Sequence, residues 1–364
     1  MGEVGLRNAT LSVIWAGAGN GTSGLPESVD WMRVIDLVKR NRLSAIGLRG
    51  MQILDSAGLL VDGKAIDRIQ KKRWIGIVVK SYEQKNLRYM SSLTSLARFC
   101  NQHSLKMMIL KGYGLSLNYP DPMLRPCGDI DIWMFGKYRE LDEALLSELG
   151  IKVDNSLHHH TMFKWEGFNV ENHYDIVNVH SQGNSAAIEE IFKDLAMDDS
   201  FSTEIGGEKV YLPSPDLHAL FQIRHIMGHF AAEEVEMRQI LDWAFFVQKN
   251  HDKINWDWLT GVFRQFRMTD FFSIVNSICV EDLGFDKSLF PEYSVDGDLK
   301  NRVLNEILSP EFHEEEPKSL LPRILFKYRR WQANSWKQKL CFPENRFKSF
   351  FRSVWSHMLK PKKI

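Results

Sequence analysis

The stretch Met107-Met108-Ile109-Leu110-Lys111-Gly112-Tyr113-Gly114, continued through Arg125 to Gly128-Asp129-Ile130-Asp131-Ile132-Trp133, decides the fold of this chain. The run 107–110 is short and wholly apolar, as a buried strand is, and Gly112 and Gly114 mark a turn. Leu115 to Tyr119 reads as a helical turn stopped by Pro120-Asp121-Pro122. Residues 130–135 form a second strand. Side chains alternate along a strand with period two, so Asp129 and Asp131 project from one side while the apolar residues around them anchor it.

Working outward, residues 137–149 are an amphipathic helix, and 151–155, 159–165 and 168–176 read as strands. A short helix follows Gly183-Asn184, then a hairpin at Gly206-Gly207, and Pro213-Ser214-Pro215 closes the unit. About four strands of mixed sheet are expected. The first hundred residues are helical in pattern: Trp31, Val34, Ile35 and Val38 share a face behind Ser28 as N-cap, and helical pattern recurs in 44–58 and from Lys64 to His103. Beyond the proline cluster, helical segments run at 215–230, 232–249, 255–267, 269–283, 298–308, 317–338 and 345–358. The expected class is α+β, a small mixed β-sheet core at 104–212 between a helical N-terminal region, 1–103, and a helical C-terminal domain, 213–364.

Composition excludes several function classes. The chain has 364 residues, 44% of them hydrophobic, and its 46 basic and 46 acidic residues cancel, so no global field recruits nucleic acid or membrane. Cys100, Cys127, Cys279 and Cys341 lie far apart without a Cys-x-x-Cys pair, against both a disulfide framework and a zinc ribbon. No apolar run approaches the length of a transmembrane helix and no signal-peptide pattern opens the chain; Leu6 also breaks the myristoylation pattern begun by Met1-Gly2. A cytoplasmic protein is expected. Gly19-Asn20-Gly21-Thr22-Ser23-Gly24 formally matches a dinucleotide fingerprint, but Leu25-Pro26 intervenes before any helix and no βαβ unit follows, so it reads as a loop.

Paired carboxylates on one strand face suit a hard divalent cation shared with phosphates. Lys111-Gly112, closing a buried strand before a helical turn, suits an anion, because glycine admits close approach and helix N-termini favour negative charge. Arg125, four residues before Asp129, supplies a permanently charged fork for a terminal phosphate.

These residues carry a resemblance. Ile109-Leu110-Lys111-Gly112, Tyr119-Pro120-Asp121 and Arg125-Pro126-Cys127-Gly128-Asp129-Ile130-Asp131 resemble the uncharacterised bacterial nucleotidyltransferases of the DNA polymerase β-like superfamily. They are also similar to the nucleotidyltransferase toxins of abortive-infection systems. The likeness extends to Ile14-Trp15-Ala16-Gly17 and Trp31 upstream and to the segment around His225, Arg238 and Asp242 downstream. It implies a polymerase β-like core, and a third carboxylate in Val170-Glu171-Asn172-His173-Tyr174, where Glu171 is favoured over Asp175. Tyr113 stands where the superfamily's turn has a second small residue, and the third acid is Glu.

The resemblance implies transfer of a nucleoside monophosphate from an NTP such as ATP to an acceptor, with Asp129, Asp131 and Glu171 catalytic and holding Mg²⁺ or Mn²⁺. Lys111, Gly112, Gly114 and Arg125 would bind the nucleotide, and His173, His225, Arg238 and Asp242 would wall the substrate cleft. The acceptor, whether small molecule, glycan, protein or RNA, is not named by the residues, nor is the oligomeric state. The alternatives are an inactive nucleotide-sensing or protein-binding module on the same fold and a toxin-like enzyme that modifies tRNA. His158, His159, His160, His173, His180, His225 and His229 invite a zinc reading, but adjacent histidines on a strand point to opposite faces and no cysteine joins them, so zinc is not expected. From Arg323 to Ile364 twelve Lys or Arg stand against one acid, Glu344, with Trp331, Trp336, Phe342, Phe347, Phe350, Phe351 and Trp355 interleaved. Packing of amphipathic helices on the core is the first reading of this tail; RNA stacking or an anionic membrane surface is the second.

Overall fold

The computed structural model describes residues 1–157, 159–179, 185–312, 317 and 319–342. Helix α1 (Glu3–Ala18) is buried on almost every side from Leu6 to Ala18, which is why its sequence shows an apolar run and no amphipathic period. Gly19, at φ +93°, caps its C-terminus in the left-handed region. The first glycine of the apparent dinucleotide fingerprint therefore ends a helix and opens none. α2 (Trp31–Arg40) buries Trp31, Val34, Ile35 and Val38 as its spacing requires; its N-cap is Asp30, accepting from Arg33 N, two residues after the expected Ser28. α3 (Ser44–Ser56) crosses α1 so closely that a Cβ on Gly50 would lie 1.8 Å from the Val13 carbonyl oxygen, and one on Gly17 would lie 2.1 Å from that of Ile46. α4 (Arg68–Val78) runs through a π turn, Val79–Glu83, into α5 (Gln84–Gln102).

The period then changes as expected. β1 (Met108–Ile109) leads into the one-turn α6 (Tyr113–Ser116), and β2 (Ile130–Trp133) into α7 (Tyr138–Leu149). β3 (His160–Trp165) and β4 (Phe168–His173) form a hairpin, α8 (Ser185–Ala196) follows, and β5 (Ser202–Ile205) and β6 (Glu208–Tyr211) form a second hairpin. Gly206 and Gly207, both at positive φ, make the tight turn that the sequence marks. One mixed sheet results, ordered β3-β4-β2-β1-β6-β5, with β2 parallel to β4, β1 parallel to β6 and the other pairs antiparallel. It has six strands where about four were expected, because the second hairpin joins the same sheet instead of standing apart. Residues 151–155 form no strand and contribute one isolated bridge, Asp154 to Met162.

Alternation sorts the strand residues between two apolar clusters. Met107, Ile109, Ile130 and Ile132 face α5 and α7 with Tyr89, Leu93, Leu141 and Leu145, whereas Met108, Leu110 and Trp133 face the opposite side. On that side pack α9 (Pro215–Ala232), α10 (Met237–Asn250), α11 (Trp256–Gln265), α12 (Thr269–Ser277) and α13 (Gly297–Leu308). The same cluster takes in α1 to α3, so helices from both ends of the chain form one apolar body behind the sheet. Polar ties join them: Asn20 Nδ2 donates to the Leu283 carbonyl at 2.8 Å, and Asn41 Oδ1 accepts from Met237 N at 2.9 Å.

Of the basic tail, α14 (Leu320–Ala333) and α15 (Ser335–Cys341) are described. Lys337 is buried against Glu306, Arg302 lies 4.0 Å from the Trp336 ring centroid, and Trp336 meets Phe230 edge-on. This part of the tail packs on the core; residues 343–364, and with them Trp355 and the helix expected at 345–358, lie outside the described residues, as do His158 and His180. No described helix is long and apolar enough to cross a membrane.

Overpacking a tight crossing costs about 1–3 kcal/mol, and here the obstructing atom is backbone. Gly50→Ala should therefore lower the midpoint of chemical unfolding, whereas Gly76→Ala, in α4 with no atom within 4 Å of the added Cβ, should leave it unchanged or raise it.

Candidate active site

Asp129 and Asp131 leave β2 on the face turned toward α9 and α10. Across the parallel β2–β4 pair, Asp131 stands in register with Glu171, so the third carboxylate arrives beside the second without any help from loops. Asp175 is set apart, beyond the end of β4 and ion-paired with Lys193. Asn169 Nδ2 approaches Asp129 Oδ1 at 3.4 Å. Lys111, the first residue after Leu110 leaves the sheet, places Nζ 2.7 Å from Asp131 Oδ1. His173 Nε2 lies 3.3 Å from the same oxygen and 3.6 Å from Glu171 Oε2, while its Nδ1 meets the Asp175 carbonyl at 3.2 Å.

The two aspartates of the pair are tuned in opposite directions. Burial works to raise Asp131, but the Lys111 ammonium and His173 overcome it and hold the carboxyl far below the usual range. Asp129 is raised, first by partial burial and then by the charges of Glu171 and Asp131. Three acidic side chains gathered on neighbouring strands are an oxygen-donor set of the kind a hard divalent ion takes, so the residues present fit Mg²⁺ or Mn²⁺.

Gly112 adopts φ +62°, and a Cβ there would meet the Tyr89 hydroxyl at 2.3 Å, so the turn accepts only glycine. Tyr113 packs into the cluster with Tyr89 and Ile130 on the far face of the sheet and does not line the cavity beside the turn. The large residue in the small-residue position thus leaves the turn's cavity side open. Gly114 is placed away from the cavity, with its would-be Cβ 3.2 Å from the Ile109 carbonyl and 3.3 Å from Leu212, so its role is close packing. α6 has only four residues, too few for a strong dipole, and an anion here depends on Lys111.

Arg125 is redirected most sharply from its expected role. It is buried, and its fork closes on Asp242 of α10 with Nε to Oδ1 at 2.8 Å and Nη2 to Oδ2 at 2.9 Å, while Nη1 donates to the Gly112 carbonyl at 3.1 Å. Arg125 lines the cavity described below, with its fork taken up by Asp242 and the carbonyl of the turn. Tyr119 donates to Asp242 at 2.7 Å, Arg238 reaches Asp242 at 3.3 Å and Glu236 at 3.1 Å, and Arg42 reaches Glu236 at 2.6 Å. A ladder of ion pairs therefore runs from the Gly112 turn to the mouth of the cleft.

That cleft is a cavity of about 160 Å³ between the turn and helices α9 and α10. Lys111, Gly112, Asp129 and Asp131 line one side; Gln222, His225, Arg238 and Asp242 line the other. Residues 107–131 and 225–242 are thereby brought to one site. His225 is held well below the ordinary histidine range, first by burial and then by Lys111, and stacks on Phe221 at 5.5 Å. Glu171 and His173 sit beside Asp131 and outside the residues lining this cavity.

The profile of the uncharacterised nucleotidyltransferase family matches residues 27–284, more than half of the chain. This chain belongs to that family. Every residue of the carboxylate cluster and of the ladder lies inside the matched span. No curated protein matches the chain. Among solved structures, an antigenic nucleotidyltransferase-like protein from Paracoccidioides brasiliensis is similar over 44% of this chain and 75% of its own, at 16% identity and a TM-score of 0.32.

Three features of this family member escaped the sequence reading. Gln222 is buried, lines the cavity, and has no hydrogen-bond partner for either amide atom among the described residues; in sequence it is one of several polar residues in a largely buried helix. Arg42 comes to the cavity from a left-handed position, φ +54°, behind α2. The third is the histidine cluster. β3 begins only at His160, so strand alternation does not govern His159, and the imidazoles of His159, His160 and His173 converge where opposite faces were expected.

Removing one partner of a buried ion pair strands the other charge and costs about 3–5 kcal/mol. Asp242→Ala should show a loss of that size in urea unfolding. Arg238→Ala, which leaves the Arg125–Asp242 pair intact, should cost far less.

Proposed function

We propose that this chain transfers a nucleoside monophosphate from an NTP to an acceptor hydroxyl in a reaction dependent on Mg²⁺ or Mn²⁺, releasing pyrophosphate. The observation that carries the proposal is the convergence of Asp129, Asp131 and the in-register Glu171 beside the Lys111-Gly112 turn at the edge of one cavity. A divalent ion held by these three carboxylates supplies, when bound, neutralisation of phosphate charge and a fixed geometry for the entering and leaving oxygens.

The chain's own residues do the rest. Lys111, whose ammonium lies 2.7 Å from Asp131 Oδ1 at the edge of the cavity, would hold the phosphates. Gly112 lets them approach the backbone, and Arg125 keeps the turn in place while they do. At about 160 Å³ the cavity is smaller than the roughly 300–1,000 Å³ of sites that enclose a whole ligand, so it receives the phosphates and leaves the nucleoside toward the mouth, where Arg42 and Arg238 share Glu236. Gln222 and His225 present polar atoms to whatever lies between. The acceptor oxygen forms its bond to the α-phosphorus as the bond to the β-phosphate oxygen breaks, and Glu171 takes the hydroxyl proton.

Incubation with labelled NTPs and Mg²⁺ or Mn²⁺, with pyrophosphate release as readout, tests this. Charge stabilisation worth several kcal/mol at about 1.4 kcal/mol per tenfold predicts that Asp131→Asn lowers turnover by at least roughly a hundredfold. Lys111→Ala should weaken NTP binding more than it slows the bound complex. Equal metal-dependent NTP binding by wild type and the Asp129→Ala/Asp131→Ala variant would sink the assignment.

A further inference from the structure

We propose that His159, His160 and His173 form a second metal site, for one divalent transition ion of the zinc class, set beside the carboxylate site and chemically distinct from it. His160 and His173 are a cross-strand pair at the end of the β3–β4 hairpin, which puts their rings on one face with centroids 5.2 Å apart. His159, one residue before β3, is pinned there by its backbone: its carbonyl accepts from both Tyr174 N at 3.1 Å and Asp175 N at 3.0 Å. Its ring lies 4.4 Å from that of His160 and 5.6 Å from that of His173. Each of the three imidazoles offers a nitrogen within 4.8 Å of the others. Zinc ligands at about 2.0–2.1 Å in tetrahedral array stand roughly 3.3 Å apart, a closure that side-chain rotation supplies.

A second observation points to a ligand. Among the described residues, His160, only 7% exposed, has a buried Nδ1 without a hydrogen-bond partner, and so does His159 at its Nδ1. A buried polar atom left unpaired carries a desolvation penalty, and two such atoms in one three-histidine cluster call for an ion there. His173 has the support common to metal-binding imidazoles: Nδ1 meets the Asp175 carbonyl, which orients Nε2 inward. Each imidazole binds through the lone pair of its neutral form, and a ring that carries a second proton releases it to solvent on binding. Imidazole donors select zinc, cobalt, nickel or copper over magnesium, so the two sites differ in the ion they prefer although His173 borders both. Glu171 Oε1 lies 3.9 Å from His160 Nε2 and its Oε2 3.6 Å from His173 Nε2, so the two sites adjoin at this carboxylate. An ion here would cross-link the end of the hairpin that carries Glu171.

The test uses the full chain, stripped with a chelator and titrated without nucleotide, so its outcome is independent of catalysis. Co²⁺ alone should bind at one equivalent with visible ligand-field absorption, Zn²⁺ should displace it, and each ion should raise the melting temperature. His159→Gln and His160→Gln should each weaken Co²⁺ binding at least tenfold, and the surface control His103→Gln should not. In wild type, bound Zn²⁺ should protect His159, His160 and His173 from acylation by diethyl pyrocarbonate in peptide mapping, a readout that needs no folded variant. Absence of a stoichiometric Co²⁺ complex, unchanged binding in the folded histidine variants, or undiminished acylation in the Zn²⁺ complex would overturn the proposal.

Discussion

The buried fork between Arg125 and Asp242 is the contact on which the site depends. It joins the segment before β2 to α10 across more than a hundred residues of chain, and the same guanidinium holds the Gly112 carbonyl. Taking both charges out of water is costly, and their attraction offsets that cost only because the geometry is bidentate and the remaining donors and acceptors are filled. Tyr119 and Arg238 complete the shell of Asp242, so no part of the carboxylate is left to compete for a cation in the cleft. Burial raises the Asp242 carboxyl and Arg125 more than reverses it, keeping the pair ionised.

Around that contact, the sheet separates packing from chemistry by parity alone. Ile130 and Ile132 are sealed against α5 and α7, which frees Asp129 and Asp131 to face the helices of the other layer. Parallel pairing of β2 with β4 then sets Glu171 opposite Asp131, and antiparallel pairing of β3 with β4 sets His160 opposite His173. Acidic and imidazole groups thus gather at one end of the sheet, in adjoining clusters that share His173.

The helical body gives the cleft its second wall. α9 and α10 are held by an apolar cluster that reaches back to α1 and α3, where Gly17 and Gly50 allow the two helices to touch backbone to backbone. Arg42 and Asn41, at the end of α2, meet Glu236 and Met237 at the start of α10. The N-terminal helices therefore contribute to the cleft although no motif in them carries chemistry.

The sequence by itself determined the helix-to-strand change at Leu105, the Asp129–Asp131 face, the Lys111-Gly112 turn and the glycine hairpin, because each rests on local periodicity or on a backbone conformation that few residues tolerate. It also brought Glu171 into consideration through its motif. Only the tertiary structure decided that Arg125 turns inward to Asp242, that Tyr113 packs away from the turn, that Gly114 serves packing, and that Gln222 and Arg42 line the cavity. It likewise decided that a second hairpin widens the sheet to six strands and that three histidines converge. These outcomes depend on which distant segment supplies a partner or a wall. A fork such as that of Arg125 binds a phosphate or a carboxylate with equal chemistry, and only the position of Asp242 in space determines which one it meets.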